Sequence, residues 1–150
     1  MKKYFALELG LSNLLQYPQQ LFLLLLRLWL AWIFFKSGVL KIQSWDVTLE
    51  LFAYEYAVPW FAPNIAAMLA TAAELSLPPL LVLGVLTRPA VLALLILNFV
   101  AMISYPDISA AGEKDHQLWG LGMGIIFFLG AGKLSVDYGV QRWLMAGKRV

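Results

Sequence analysis

Residues Met68–Arg88 read MLATAAELSLPPLLVLGVLTR. The stretch is almost wholly apolar, and a helix of this length, at about 1.5 Å per residue, crosses a hydrocarbon core of roughly 30 Å. Yet Glu74 stands near the middle of its apolar run. A charge at the centre of a membrane helix costs roughly 2.5–3.5 kcal/mol, whereas each leucine returns only about 0.3–0.6 kcal/mol. Such a carboxylate faces a partner, a cavity or a proton path rather than lipid. The stretch therefore predicts a membrane helix and singles out one residue on it.

The rest of the chain agrees. Of its 150 residues, 61% are hydrophobic and only 13% charged, against about 25% charged in soluble domains. An integral membrane protein is expected, with the lipid bilayer as its first partner. A net charge of +2 is too small to predict a nucleic-acid partner. The absence of Cys excludes thiolate nucleophiles, disulfide exchange and Cys-based metal sites. One histidine, His116, argues against a multi-histidine metal or haem site in a single chain, so no metal site is expected. Lys2 and Lys3 are followed by no compact apolar core with a cleavage site, and the N-terminus is expected to be retained.

Outward from the quoted stretch, an all-α bundle of four transmembrane helices in a single domain, residues 1–150, is predicted. The spans are expected at about 20–39, 64–86, 89–105 and 117–132. Residues 4–17, with Glu8, Ser12 and Asn13, are too polar to cross and predict an interfacial amphipathic helix ended by Pro18. In the first loop, Trp45, Leu49, Phe52 and Tyr56 fall at helical spacing. This predicts a second interfacial helix with its aromatic face on the membrane. Thr87-Arg88-Pro89 reads as a tight turn between antiparallel neighbours. The basic segment from Lys133 predicts a third amphipathic helix. Lys2, Lys3, Arg88, Lys133, Arg142, Lys148 and Arg149 fall on one side of this topology. Lys41 and Lys114 fall on the other among Asp46, Glu50, Glu55, Asp107, Glu113 and Asp115. The positive-inside rule then places both termini in the cytoplasm.

Candidate chemistry starts from Glu74 and the two cations within helix 1, Arg27 and Lys36. Nine residues apart, these lie on opposite faces, and Arg27 shares its face with Phe34, Gly38 and Lys41. An Arg27–Glu74 pair is the leading expected contact, read either as a structural ion pair or as part of a polar pocket. Lys36 is expected to snorkel toward phosphate. Pro78 has no N–H for the carbonyl of Glu74, which predicts a bend and a free acceptor beside the carboxylate. Asn98 reads as interhelical glue, and Asp115 and His116 as secondary candidates in a polar loop that caps the last helix. Gly120, Gly122 and Gly124 offer a small-residue face for packing within the chain or in a homo-oligomer. The tryptophans Trp29, Trp32, Trp60 and Trp119 read mostly as interface anchors.

Three motifs in order resemble the DoxX family. They are Arg27 with Gly38-x-x-Lys41, then Glu74 followed ten residues later by Gly84-x-x-Thr87-Arg88, and finally Gly130-x-Gly132-x-x-Ser135-x-Asp137. The likeness runs from about Leu21 to Asp137 and departs from the pattern at Leu77-Pro78, where paired small residues are usual. It implies a small four-helix protein of the bacterial inner membrane, with relatives linked to a thiosulfate:quinone oxidoreductase and to membrane-associated redox or detoxification complexes. Carried over by position, Arg27, Lys41, Glu74 and Arg88 become the expected ligand-binding residues, with no catalytic residue assigned.

The reading that follows is an accessory membrane subunit of a redox or detoxification system rather than an enzyme alone. It binds a membrane quinone near Glu74 and Arg27, holds no cofactor of its own, and docks a protein partner that carries the redox centre. A non-catalytic scaffold or assembly partner, or a small-solute or proton-coupled carrier acting as an oligomer, are the alternatives.

Overall fold

A computed structural model describes residues 1–147, with the side chains of 2, 3 and 5–13 left out of the description. Lys148 and Arg149, and the side chains of Lys2, Lys3, Glu8, Ser12 and Asn13, therefore lie outside the described residues. The chain is all-helical: α1 (Lys2–Gln43), α2 (Trp45–Tyr54), α3 (Pro63–Leu83), α4 (Thr87–Ser104), α5 (Ala110–Leu129) and α6 (Val136–Gly147). Among the described residues, three stretches, Leu14–Gln43, Pro63–Leu83 and Thr87–Ser104, are long and apolar enough to cross a membrane.

Helices α1, α3, α4 and α5 close a ring. Each packs on the next and α5 returns to α1, while α2 lies across α3 and α1. The core of this ring is Leu30, Ala31, Phe34, Leu81, Val91, Leu94, Met123 and Ile126. Many large apolar side chains point outward instead, among them Leu25, Trp32, Phe99 and Phe128. That inversion is expected where the outer solvent is lipid.

Pro18 does not end α1, contrary to expectation. The helix continues because the residues around Pro18 are exposed, which leaves the carbonyl it orphans free to be solvated. Gln16 and Gln20, one on each side of Pro18, both hold Lys133. Gln16 accepts from its ammonium at 3.2 Å and Gln20 from its backbone N–H at 2.5 Å. The helix also passes the expected end at Val39, since no breaker occurs before Ser44.

Helix α2 forms as predicted, but its aromatic face turns inward. Phe52 packs on Ala66 and Ala67 with Trp45, Leu49 and Tyr56 around it. The alanines of α3 leave a groove that the rings fill, so this face covers protein and not membrane. Likewise Trp119 is no interface anchor, since its ring meets Phe34 and His116 edge-on.

The turn between α3 and α4 is Gly84-Val85-Leu86, with α4 already begun at Thr87. Gly84 adopts φ 67°, a left-handed cap that suits glycine. Helix α5 starts seven residues before the expected Gln117, because Ser109 caps it by accepting from the Gly112 N–H at 3.1 Å. Glu113, Lys114 and Asp115 thus belong to its exposed first turns rather than to a loop.

Candidate functional site

Glu74 is held by α1, though not by Arg27. The Lys41 ammonium donates to both carboxylate oxygens, at 2.8 Å to Oε1 and 2.7 Å to Oε2. Ser37, one turn earlier on α1, donates to Oε1 at 3.2 Å and accepts from Lys41 at 2.8 Å. Gly38 makes this possible. A Cβ there would sit 2.9 Å from Cβ of Glu74 and from Cγ of Leu75, so only glycine lets α1 approach α3 this closely. Thr48 closes the corner by donating to the Lys41 carbonyl at 3.1 Å. The Gly-x-x-Lys spacing is thus a close-approach residue followed, one turn on, by the cation that the approach brings into reach.

Beside this pair lies a cavity of about 340 Å³ among α2, α3 and α4. Its walls are chiefly apolar, from Leu69, Ala73, Leu97 and Val100 among others, and Lys41 and Glu74 contribute to the lining. Tyr56, Tyr105, Ser104 and His116 also line it. Ser104 is 2% exposed and its hydroxyl has no hydrogen-bond partner. A buried hydroxyl left without a partner costs roughly 1–3 kcal/mol, and a ligand oxygen would relieve that.

Asn98 and His116 join α4 to α5. The Asn98 amide donates to the His116 carbonyl at 2.9 Å, and its oxygen lies 2.8 Å from His116 Nδ1. With the amide oriented so, Nδ1 carries the proton, and Nε2 of the neutral ring is an acceptor. Burial lowers the His116 pKa, with Asp115 opposing it, which favours that neutral ring near pH 7. Asp115 itself is exposed and makes no part of this cavity's lining.

Arg27 belongs to the opposite end of the bundle. It is fully buried, and Nη2 donates to the Leu134 carbonyl at 2.5 Å, while Nε and Nη1 have no partner. A Cβ at Gly84 would collide with Arg27 Nη1 and with Ser135 Cβ, so Gly84 is there to admit the guanidinium. Asp137 knots the same region. Its carboxylate accepts from the Leu86 and Thr87 N–H groups, both at 2.9 Å, and its own N–H donates to the Gly84 carbonyl at 2.9 Å. Burial alone would raise the Asp137 pKa, but the bonds from Thr87 and Leu86 and the charge of Arg27 outweigh it and hold the group below its ordinary value. Arg88 donates through Nε to the Phe127 carbonyl at 3.2 Å, tying α4 to the end of α5.

Residues 22–106 match the DoxX family profile, more than half of the chain. This protein belongs to the DoxX family. It is also similar to an uncharacterized protein of Haemophilus influenzae, 34% identical over 135 residues, covering 81% of this chain and 89% of the relative. No solved structure matches it.

The DoxX match ends before the third motif, but the fold joins that motif to the second. Asp137 caps α4 at the Gly84-x-x-Thr87 turn, and Arg27 of the first motif lies beneath both. The four carried-over residues therefore separate into two pairs, Lys41 with Glu74 at the cavity and Arg27 with Arg88 at the far end. The expected Arg27–Glu74 contact is replaced by Lys41–Glu74, the salt bridge found among the described residues. Its cause is depth: Lys41 lies on the same face as Arg27 but four turns further along α1. Ser37, Ser104 and Tyr105 have no place in the sequence reading, and Tyr56 enters it only through the aromatic face of the first-loop helix. Ser37 stands one turn before Lys41, a spacing that could have flagged it.

Proposed function

We propose that this DoxX protein is a four-span bacterial inner-membrane subunit of a redox or detoxification system that binds a lipophilic ligand of the quinone class. The apolar part of α5 is its fourth span, both termini face the cytoplasm, and a protein partner carries the redox centre. One observation supports this reading most directly. An apolar cavity opens between helices with polar groups set apart on its lining, the Lys41–Glu74 pair, the unpartnered Ser104 hydroxyl and His116. Small-molecule sites generally combine apolar walls with a few placed polar groups, in volumes of roughly 300–1,000 Å³. A quinone head needs hydrogen bonds at its two oxygens and apolar or aromatic surface along its ring. Ser104 can donate to a carbonyl, whereas Lys41 has its three donors on Glu74 and Ser37 and supplies charge, and neutral His116 can accept from a quinol hydroxyl.

The test is solvent extraction of the purified protein and chromatography for isoprenoid quinones, comparing the native chain with Glu74→Ala and Ser104→Ala. Near-stoichiometric quinone in the native protein, reduced in both variants, is expected. Quinone at the background of an unrelated membrane protein would overturn the reading.

A scaffold role is favoured by one observation: Lys41 and Ser37 already serve both oxygens of Glu74 within the chain. In that reading Glu74 fixes the register of α1 against α3 and the cavity holds lipid.

A further inference from the structure

Lys133 carries a second, polar cavity of about 250 Å³, together with Arg88, Gln20, Ser135, Tyr138 and Gln141. It lies at the opposite end of the bundle from the Lys41–Glu74 pair, where α4 begins and α5 ends. We propose that this cavity binds a phosphate group on an anionic ligand, and that it is independent of the quinone reading.

The charge there is lopsided. Arg88 and Lys133 line the cavity, Arg27 is buried behind its Ser135 wall, and Arg142 lies 6.0 Å from the ring of Tyr138. The one carboxylate among the described lining residues, Asp137, has each oxygen bonded to a backbone N–H of the α4 start, which takes up much of its capacity to accept. Arg27 keeps Nε and Nη1 without partners although it is fully buried. Asp137 offsets part of the Arg27 charge without hydrogen-bonding to its guanidinium, so a positive potential remains behind the cavity lining, and an anion in the cavity lowers its energy.

Arg88 is placed to make that contact. Its Nε bond to Phe127 fixes the plane of the guanidinium, and its Nη2 lies over Gly130, 3.9 Å from where a Cβ would stand. The terminal nitrogens are thus held over the loop that carries Lys133 three residues later. The loop passes this closely because Gly130 and Gly132 take φ values of 80° and 79°. At Gly132 a Cβ would lie 2.7 Å from Oε1 of Gln20, the oxygen that holds the Lys133 backbone. Lys133 lines the same cavity with one ammonium donor on Gln16 and two to spare, and a guanidinium fork together with an ammonium is a donor set suited to the oxygens of a phosphate.

Phosphate can arrive here as a lipid headgroup or as a free ion. The test uses the full chain in dodecyl maltoside and follows its thermal unfolding midpoint. Phosphatidylglycerol, phosphatidylcholine and inorganic phosphate are added in turn to the native protein and to Arg88→Gln and Lys133→Gln. The expected result is a rise in midpoint with phosphatidylglycerol that phosphatidylcholine does not give, with apparent affinity about tenfold weaker in each variant. Stabilisation by phosphatidylglycerol alone identifies a lipid headgroup, and equal stabilisation by inorganic phosphate identifies a soluble ligand. Either supports the site. Equal responses to the two lipids with none to phosphate overturn it, as does an undiminished response in the variants. Should Arg88→Gln fail to fold, Lys133→Gln still decides, because its backbone bond to Gln20 survives the substitution.

Discussion

The carboxylate of Glu74 is served by two side chains of α1, and that arrangement makes its roles separable. Lys41→Met removes the cation and leaves Glu74 mostly buried with Ser37 as its remaining donor. Breaking a buried pair on one side costs on the order of 3–5 kcal/mol, whereas removing both members together is often close to neutral. Lys41→Met is therefore expected to lower the unfolding midpoint in detergent well below that of Lys41→Met combined with Glu74→Leu. If the double variant regains native stability yet copurifies without quinone, the pair serves the ligand. If it regains stability and keeps its ligand, the scaffold reading is the better one. Ser104→Ala gives the complementary result. Because its hydroxyl has no partner in the chain, its loss is expected to leave stability of the ligand-free protein unchanged or slightly raised and to weaken quinone retention. A substantial fall in ligand-free stability would contradict that.

Helix ends explain most of the motif residues, and here the sequence was only partly legible. Glu74 was visible because a carboxylate in an apolar run is costly wherever its partner lies. Its partner was not, because Arg27 and Lys41 share one face of α1 and periodicity cannot separate them by depth. Nor could it foresee that Pro18 would leave α1 whole, since the glutamines on either side are held by a residue more than 100 positions away. The knot at Asp137 has the same character. Its capping of Leu86 and Thr87 spans about fifty residues of sequence, beyond the reach of any local capping rule. Asp137→Asn is expected to cost about 1 kcal/mol, as for the loss of a helix cap. The pH dependence follows from the depressed pKa of Asp137. Its contribution is complete above the unfolded value near 3.9 and is lost as pH falls through the lower, folded value. Native protein should therefore lose stability more steeply than Asp137→Asn in acid below about pH 4. Parallel acid profiles for the two would show that Asp137 contributes no charge-dependent stability.

At the scale of the whole molecule, the same knot constrains how the chain can lie in a bilayer. Asp137 is bonded at the start of α4, while Ser109 follows its end, so the chain between them must travel back along the full length of α4. Helix α5 does so, with Asn98 meeting His116 near one end and Arg88 meeting Phe127 near the other. On the proposed four-span reading α5 crosses beside α4 and keeps these bonds, whereas a three-span arrangement would place α5 outside the membrane. The residues that make α5 look too polar to cross run from Glu113 to Gln117 in its first turns, where headgroups and water would meet them. The chain has no cysteine of its own, so single substitutions report on sidedness without background. Ala111 is exposed, and a side chain at Gly139 meets nothing within 4 Å, so neither Ala111→Cys nor Gly139→Cys should disturb the fold. In intact spheroplasts a membrane-impermeant maleimide is expected to label Ala111→Cys at once and Gly139→Cys only after the membrane is opened. Labelling of both from outside would mean that α5 does not cross. Labelling of Gly139→Cys alone would keep the four spans but invert them, placing the Arg88–Lys133 cavity on the outer face and the Lys41–Glu74 cavity toward the cytoplasm.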